Sequence, residues 1–323
     1  MREKENAVIT SSNPNYPTGT VITGKWRNSR FVIQGVLGSG ANGTVYLVQK
    51  AGYRERYALK MGNDTLELQS EINVLTSLQI QQKQKDKQEG IAHRPYLLEV
   101  DDYSERQREI PFYVMRYVEG SPLHWFIRKR GQEWIGIVGL RLLEKLRDLH
   151  QLGFVFGDLK PENVMVSEYG EVELIDYGGV SSIGRSVKQF TEWYDRGYWN
   201  AGSRGSDEGY DLFAFAVLCI HLLHGEALRS AAAHHLPQTR SVADLLTLVQ
   251  RSHKLKPYAG WLTKAIRGEF EGSDQAWNLW KQQINKPVFS KSKPSDKTPR
   301  WLRYAFTFSF LLLCVVVCLA VWL

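Results

Sequence analysis

Cysteine is scarce in this chain, with three in 323 residues. Cys219 stands in an apolar run, and Cys314 and Cys318 lie in a C-terminal hydrophobic stretch. None has the spacing of a disulfide framework or a zinc site, which excludes a cross-linked scaffold and suits a reducing compartment. No internal repeat is present. The first nineteen residues are polar, carry Pro14 and Pro17, and lack an apolar core followed by a cleavage site. They read as a flexible lead-in and not as a signal peptide. An excess of one charge is also missing from most of the chain. The net charge is +7, but residues 281–304 hold Lys281, Lys286, Lys291, Lys293, Lys297, Arg300 and Arg303 against Asp296 alone, a net +6. The remainder is nearly neutral, so the basic character is a local device.

Apolar material is sufficient for a sizeable core, at 43% hydrophobic and 12% aromatic residues, which excludes wholesale disorder. From Thr20 to Lys60, short β-branched and aromatic runs broken by glycines predict antiparallel strands: Phe31–Ile33, Val45–Val48 and Tyr57–Leu59. Leu66–Leu78 has helical spacing, and the Gln/Lys-rich stretch 79–90 reads as a solvated helix end and loop. Strand patterns return at Tyr96–Val100 and Phe112–Val118. Beyond Gly120 the chain is mainly helical: Leu123–Arg130, Ile135–His150, the uniformly apolar Leu212–Leu223, and segments within Val242–Ser252, Trp261–Ile266 and Asp274–Gln283. Two short strands, Val164–Val166 and Glu171–Ile175, precede a glycine- and aromatic-rich loop over Gly178–Gly209.

The stretch Ala305–Leu323 carries no charge and little polarity beyond Thr307 and Ser309. As a helix it spans roughly 30 Å, the thickness of a hydrocarbon core. Trp301, Tyr304 and Trp322 fall near its ends, as interfacial aromatics do. The competing reading is a buried core helix; the polar linker before it favours a membrane tail anchor. The preceding cations predict a body that faces the cytoplasm.

The candidate chemistry lies in four places. Gly38-Ser39-Gly40-Ala41-Asn42-Gly43-Thr44-Val45 is a glycine-rich hairpin tip whose amides can lie against phosphates. A Rossmann turn needs a helix to open at Gly43, whereas Thr44–Val48 continues as strand. Lys60 ends the strand Tyr57–Lys60, and Glu71, early in the following helix, could fix it on phosphate oxygens. Phe156-Gly157-Asp158-Leu159-Lys160-Pro161-Glu162-Asn163 places a carboxylate, an amine and an amide at fixed offsets on one loop. Ile175-Asp176-Tyr177-Gly178 supplies a further carboxylate after a strand. Each motif alone is weak; a hairpin turn, a solvated lysine and a polar loop are ordinary surface features. Their order and settings together are specific.

In that order the motifs resemble those of the Hanks-type (eukaryotic-like) Ser/Thr protein kinases, from about Gly24 to Gln283. The apolar C-terminus, the Phe-Gly-Asp wording and the run Thr191–Trp199 make the chain most similar to the tail-anchored sporulation kinases of spore-forming Gram-positive bacteria. The resemblance implies an α+β, bilobal kinase fold. A small antiparallel-sheet N-lobe with one helix would occupy 20–118, and a mainly helical C-lobe 121–280. A basic juxtamembrane linker would follow at 281–304, and a transmembrane helix at 305–323.

It also implies ATP with magnesium or manganese, protein Ser/Thr substrates, and a transient dimer for trans-autophosphorylation. Asp158 resembles the catalytic base, and Lys160 the residue that stabilises the γ-phosphate. Asn163 and Asp176 would hold the metal, and Lys60 with Glu71 would anchor the α- and β-phosphates. Leu37, Gly38, Gly40, Gly43, Val45, Ala58 and Met165 would cradle the nucleotide. Met115 would be the gatekeeper, with Arg116 and Val118 as hinge.

The sequence departs from the family pattern at several points. Gly157 replaces the usual arginine, which implies control without an arginine-to-phosphoresidue clamp at the candidate phosphosites Ser181, Ser182, Ser186 and Thr191. Tyr177 replaces phenylalanine, and its hydroxyl needs a partner. The Ala-Pro-Glu signature is not recognisable, although Thr191 and Tyr194 keep the spacing that precedes it and Asp211 matches a buried helix-opening Asp. The Lys60–Glu71 interval is short, which leaves Glu67 as an alternative partner. An inactive membrane scaffold and a small-molecule phosphotransferase remain as alternative functions. The cations of 281–304 are candidates for binding DNA or anionic lipid.

Overall fold

The computed structural model describes residues 16–40, 43–90, 92, 95–106, 108–234, 236, 239–285 and 300–322. Met1–Ile284 form one compact unit and Asn285–Leu323 a second.

The first unit begins with an antiparallel sheet of six strands in the order β1-β2-β3-β4-β6-β5. The strands are β1 (Val21–Thr23), β2 (Arg30–Gly40), β3 (Gly43–Lys50), β4 (Arg56–Met61), β5 (Leu97–Glu105) and β6 (Arg108–Arg116). Side chains alternate across a strand with a period of two, and this alternation builds two cores. Leu59, Met61, Phe112 and Val114 face a cluster with Phe31, Ile33 and Tyr46. Their neighbours Ala58, Tyr113 and Met115 face Leu68, Ile72 and Leu75 of helix α1 (Thr65–Glu89). Lys60 shares the parity of Ala58, which turns it toward α1 and away from the apolar face.

Two expectations are corrected in this lobe. The stretch 79–90, expected to be a helix end and loop, is helical as far as Glu89, where α1 ends. Residues 79–89 lack apolar periodicity because their stability comes from helix propensity and i,i+4 pairing, such as Gln82 to Asp86 at 2.7 Å. Asp64 caps the start through Leu66 and Glu67 amides, and Gly90 closes the end in the left-handed region. The lead-in is shorter than Met1–Gly19. Tyr16 is buried in the sheet's outer core, with its hydroxyl on Glu105 at 2.9 Å; residues 1–15 lie outside the described residues.

The second lobe packs α2 (Leu123–Arg130), α3 (Ile135–Gln151), α4 (Glu208–His234), α5 (Val242–Arg251), α6 (Ala259–Arg267) and α7 (Ser273–Ile284) around one large core. Helix α4 is its axis: Leu212–Ile220 is buried on every side, as its uniform apolarity predicts. Within Glu208–Ala233 it is also long and apolar enough to cross a membrane by composition, but 67% of that window is buried in the fold. Its helical geometry breaks at His224. Short strands β7 (Ser121–Pro122), β9 (Val164–Val166) and β10 (Val172–Leu174) form one small sheet, and β8 (Phe154–Val155) pairs with β11 (Ser181–Ser182). These present the stretch Phe156–Asn163 on the face toward the first lobe.

The linker expectation is corrected at both ends. Lys281 belongs to α7, where its ammonium lies 4.6 Å from the Trp277 ring centroid. Helix α7 is fixed by Trp280, which is fully buried and donates its indole N–H to the Gly136 carbonyl at 2.9 Å. Arg300 and Arg303 belong to helix α8 (Arg300–Trp322) of the second unit. Lys286, Lys291, Lys293 and Lys297 lie outside the described residues. Along α8 the apolar side chains whose burial is described, among them Phe306, Leu311 and Val316, are exposed.

Candidate active site

A cleft of about 1050 Å³ opens between the sheet and the helical lobe. The sequence-predicted residues Leu37, Gly38, Gly40, Gly43, Val45, Ala58, Lys60, Met115, Arg116, Val118, Asp158, Lys160, Asn163, Met165 and Asp176 all line it. Ala41 and Asn42 lie outside the described residues. Gly43 pairs with Gly40 at the tip of the β2–β3 hairpin and has a positive φ of 134° that a side chain would strain.

Lys60 donates to Glu71 Oε2 at 2.7 Å and to Asp176 Oδ1 at 3.1 Å. Glu71 sits behind the cleft wall, and the Tyr113 hydroxyl donates to its other oxygen at 2.9 Å. Glu67, the alternative partner, is exposed on α1. Burial works against the charge on Lys60, but Glu71 and Asp176 outweigh it and hold the ammonium above its ordinary value. The same desolvation pushes the Glu71 carboxyl up against the pull of Lys60, so the pair depends on both of its hydrogen-bond partners. Asp176 adopts a left-handed backbone (φ 61°), which is uncommon for a residue with a side chain. The Tyr177 ring that follows packs between Tyr96 (5.1 Å) and Phe156 (6.0 Å), joining α1's core to the loop below.

The second cluster is built on Phe156–Asn163. Asp211, fully buried near the start of α4, accepts the Phe156 amide at 2.7 Å and the Gly157 amide at 2.9 Å. His150 reaches the same carboxylate through Nε2 at 2.9 Å. This anchorage sets the direction of Asp158. Lys160 Nζ donates to Asp158 Oδ2 at 2.6 Å, the Asn163 amide nitrogen donates to the Asp158 carbonyl at 2.9 Å, and the Thr191 hydroxyl donates to Asp158 Oδ1 at 2.8 Å. Carboxylate, ammonium and a hydroxyl are therefore already in contact, an arrangement suited to proton acceptance from a hydroxyl beside a neutralised anion.

Gly157 stands where a side chain would be strained. Its φ is +81°, and a Cβ would stand 2.7 Å from the Gly179 carbonyl oxygen, which would have to shift.

The candidate phosphosites divide. Ser182 and Ser186 are exposed. Ser181 is corrected: it is 1% exposed, and its hydroxyl donates to the Gly179 carbonyl at 3.2 Å, so it is not presented for modification. Thr191 is inside the site, where a phosphate would face the Asp158 carboxylate.

Tyr113, His150 and Asp195 were not found by reading the sequence. Asp195 lies within the Gly178–Gly209 segment and ties it to the start of α4 through Tyr210. It is fully buried and accepts from the amides of Gly197 (3.0 Å) and Tyr198 (3.1 Å), Arg204 Nε (2.8 Å) and the Tyr210 hydroxyl (3.0 Å). Its only sequence signal was its place directly after Tyr194. Asp195→Ala is expected to cost about 3 kcal/mol, the lower end for breaking a buried ion pair, because the half-exposed Arg204 regains water. A urea titration checks this; a loss below about 1 kcal/mol would contradict the anchoring role.

Comparison with known proteins bears on this geometry. The protein kinase domain family matches residues 31–286. The serine/threonine-protein kinase YabT of Bacillus subtilis (strain 168) is 33% identical over 273 residues, covering 84% of this chain and 76% of that protein. The serine/threonine-protein kinase STE20 of Kluyveromyces lactis is 26% identical over 244 residues, covering 70% of this chain and only 23% of that longer protein. Among solved structures, vaccinia related kinase 3 superposes with a TM-score of 0.58 at 17% identity, covering 85% of this chain and 91% of that one. The kinase domain of Mycobacterium tuberculosis PknI gives 0.56 at 20%, covering 83% and 99%. These two likenesses establish the bilobal fold. The chain belongs to the protein kinase family, as a Hanks-type Ser/Thr protein kinase similar to YabT.

Proposed function

We propose that this kinase transfers the γ-phosphate of ATP to protein Ser/Thr hydroxyls, its own included, with Asp158 as the base. The observation that carries this is the contact of Thr191 with Asp158 and Lys160, which marks where a substrate hydroxyl would meet the same carboxylate. Asp158 accepts the hydroxyl proton as the oxygen attacks phosphorus, and Lys160 offsets the charge on the transferring group. Lys60, held by Glu71, binds phosphate oxygens, and the glycine hairpin offers amides above them. Leu37, Val45, Ala58 and Met165 supply apolar walls for the base, and the backbone of Arg116 and Val118 its hydrogen bonds.

The donor set suits magnesium. Asn163 spends its nitrogen on Asp158, which leaves its oxygen, and Asp176 has a second carboxylate oxygen beyond the one facing Lys60. Among the described residues no cluster of three His, Cys, Asp or Glu side chains would hold a metal alone, so nucleotide phosphates would complete the site. Bound there, the ion would neutralise phosphate charge.

An inactive scaffold would have no need of the desolvated Lys60–Glu71–Asp176 set. The small-molecule reading is separated by acceptor. Label from γ-labelled ATP is expected on Ser/Thr of a casein-like protein; label on small alcohols alone would overturn the protein-kinase mechanism.

We also propose that α8 spans a membrane, with the kinase unit on the cytoplasmic side. Support comes from its 23-residue length, the exposed apolar side chains and the cations of 281–304. The full chain is expected to remain with membranes in high salt and to be released by detergent, whereas residues 1–284 are soluble. Full chain in the soluble fraction would contradict this. The same cations would hold the unit near polyanions, either anionic lipid or DNA. Salt-sensitive binding to anionic vesicles or duplex DNA is the expected result, and binding to neither would end this reading.

A further inference from the structure

The segment Gly178–Gly209, which carries the candidate phosphosites, is tied to α1 by a side-chain contact. The cation is on the segment and the hydroxyl on the helix: Lys188 Nζ donates to Ser70 Oγ at 3.0 Å. Ser70 directly precedes Glu71, so the contact acts on the helical turn that holds Lys60. Gly157 supplies no arginine to receive a phosphate from the segment, and a side chain there would be strained against the Gly179 carbonyl. The segment around Lys188 is already placed by other means. Ser186 bridges to Gly205, the Val187 amide donates to the Arg204 carbonyl at 3.0 Å, and Arg204 lies 4.2 Å from the Phe190 ring centroid. Lys188 is therefore presented to α1 from an ordered support.

We propose that Ser70 is a phosphorylation site, and that its phosphate pairs with Lys188 to lock α1, with Glu71 turned inward, to the Gly178–Gly209 segment. Converting a neutral hydroxyl into a phosphate at this position turns an ordinary hydrogen bond into a charge-assisted one with up to three acceptor oxygens. Ser70 is half-buried and its hydroxyl is covered by the exposed Lys188, so a second copy of the kinase reaches it only when the lysine swings aside. Glu67, three residues earlier, is an opposing like charge, but it is exposed and solvated. Glu71 is already neutralised by Lys60. The chemistry is the chain's own and rests on the reading of Asp158 as base. Ser70 Oγ attacks the γ-phosphorus of ATP bound in the second copy, the Oγ–P bond forms and the bond to the β,γ-bridging oxygen breaks. ADP leaves with that electron pair, and the hydroxyl proton passes to Asp158 of the second copy.

The test incubates the full chain with magnesium and ATP, maps phosphate by peptide analysis, and measures transfer to a casein-like protein. Phosphate is expected on Ser70, and also on the Ser70 of an Asp158→Asn chain mixed with the intact one. After incubation, Ser70→Ala and Lys188→Ala are each expected to transfer about threefold to tenfold more slowly than the parent, the scale of one charge-assisted contact at a partly exposed position. The double variant should be no slower than either single one. Transfer to the external protein with Ser70 unmodified would overturn the proposal and leave the Asp158 reading standing. No transfer to any acceptor would overturn both. Phosphate on Ser70 with fully additive variants, or with no rate change, would overturn the locking role.

Discussion

Asp158→Asn is expected to lower kcat for phosphoryl transfer by about 10²–10⁴-fold, the usual worth of a positioned general base, while KM for ATP stays within about threefold. The asparagine keeps the volume and one oxygen, so the loop anchorage through Asp211, Phe156 and Gly157 is undisturbed. What it loses is the charge that draws Lys160 and Thr191 onto the carboxylate. The effect should therefore fall on the chemical step and not on nucleotide binding, the role proposed for Lys60 and the glycine hairpin. Initial rates over an ATP series check the split. A rise in KM with kcat unchanged would mean that Asp158 belongs to nucleotide binding instead.

The second large effect concerns the residue beside it. Restoring the family's arginine by Gly157→Arg is expected to damage the protein. The φ of +81° is unfavourable to any side chain, and its Cβ would need the Gly179 carbonyl to move from 2.7 Å. Strain and overpacking together should cost about 2–5 kcal/mol. Because Gly179 also lies against Asp158, activity should fall by at least about tenfold even in the folded fraction. Thermal unfolding with a parallel activity assay checks both. A variant as stable as the parent, and newly dependent on segment phosphorylation, would refute this view of Gly157.

These expectations show which features a sequence can carry. The glycines and charged residues of the cleft were legible because each belongs to a short motif whose spacing is local: the hairpin glycines, Lys60 at a strand end, Asp158 to Asn163 on one loop, Asp176 after a strand. The helical lobe was legible for a similar reason, since α3 and α4 announce themselves by periodicity and by unbroken apolarity. Tyr113 and His150 were not legible, because each acts through a partner far along the chain, Glu71 and Asp211, and nothing local marks them. Asp195 was not legible because its side-chain partners Arg204 and Tyr210 lie further along the chain and no local motif marks it. The end of α1 was misread because a helix made of glutamine and lysine has propensity but no apolar stripe. Lys281 shares the charge density of the linker, but the neighbouring Trp277 and Trp280 decide where it packs.

The account depends most on the Lys60–Glu71–Asp176 and Asp158–Lys160–Thr191 clusters working together on phosphoryl transfer to hydroxyl groups. The most direct measurement is phosphoamino-acid analysis of a protein acceptor incubated with γ-labelled ATP and either the full chain or its Lys60→Ala variant. The account predicts label on serine and threonine with the full chain, and a loss of at least about 10²-fold with the variant, since the interaction removed spans a desolvated cation and transferring phosphates. Equal labelling by the two proteins would contradict it.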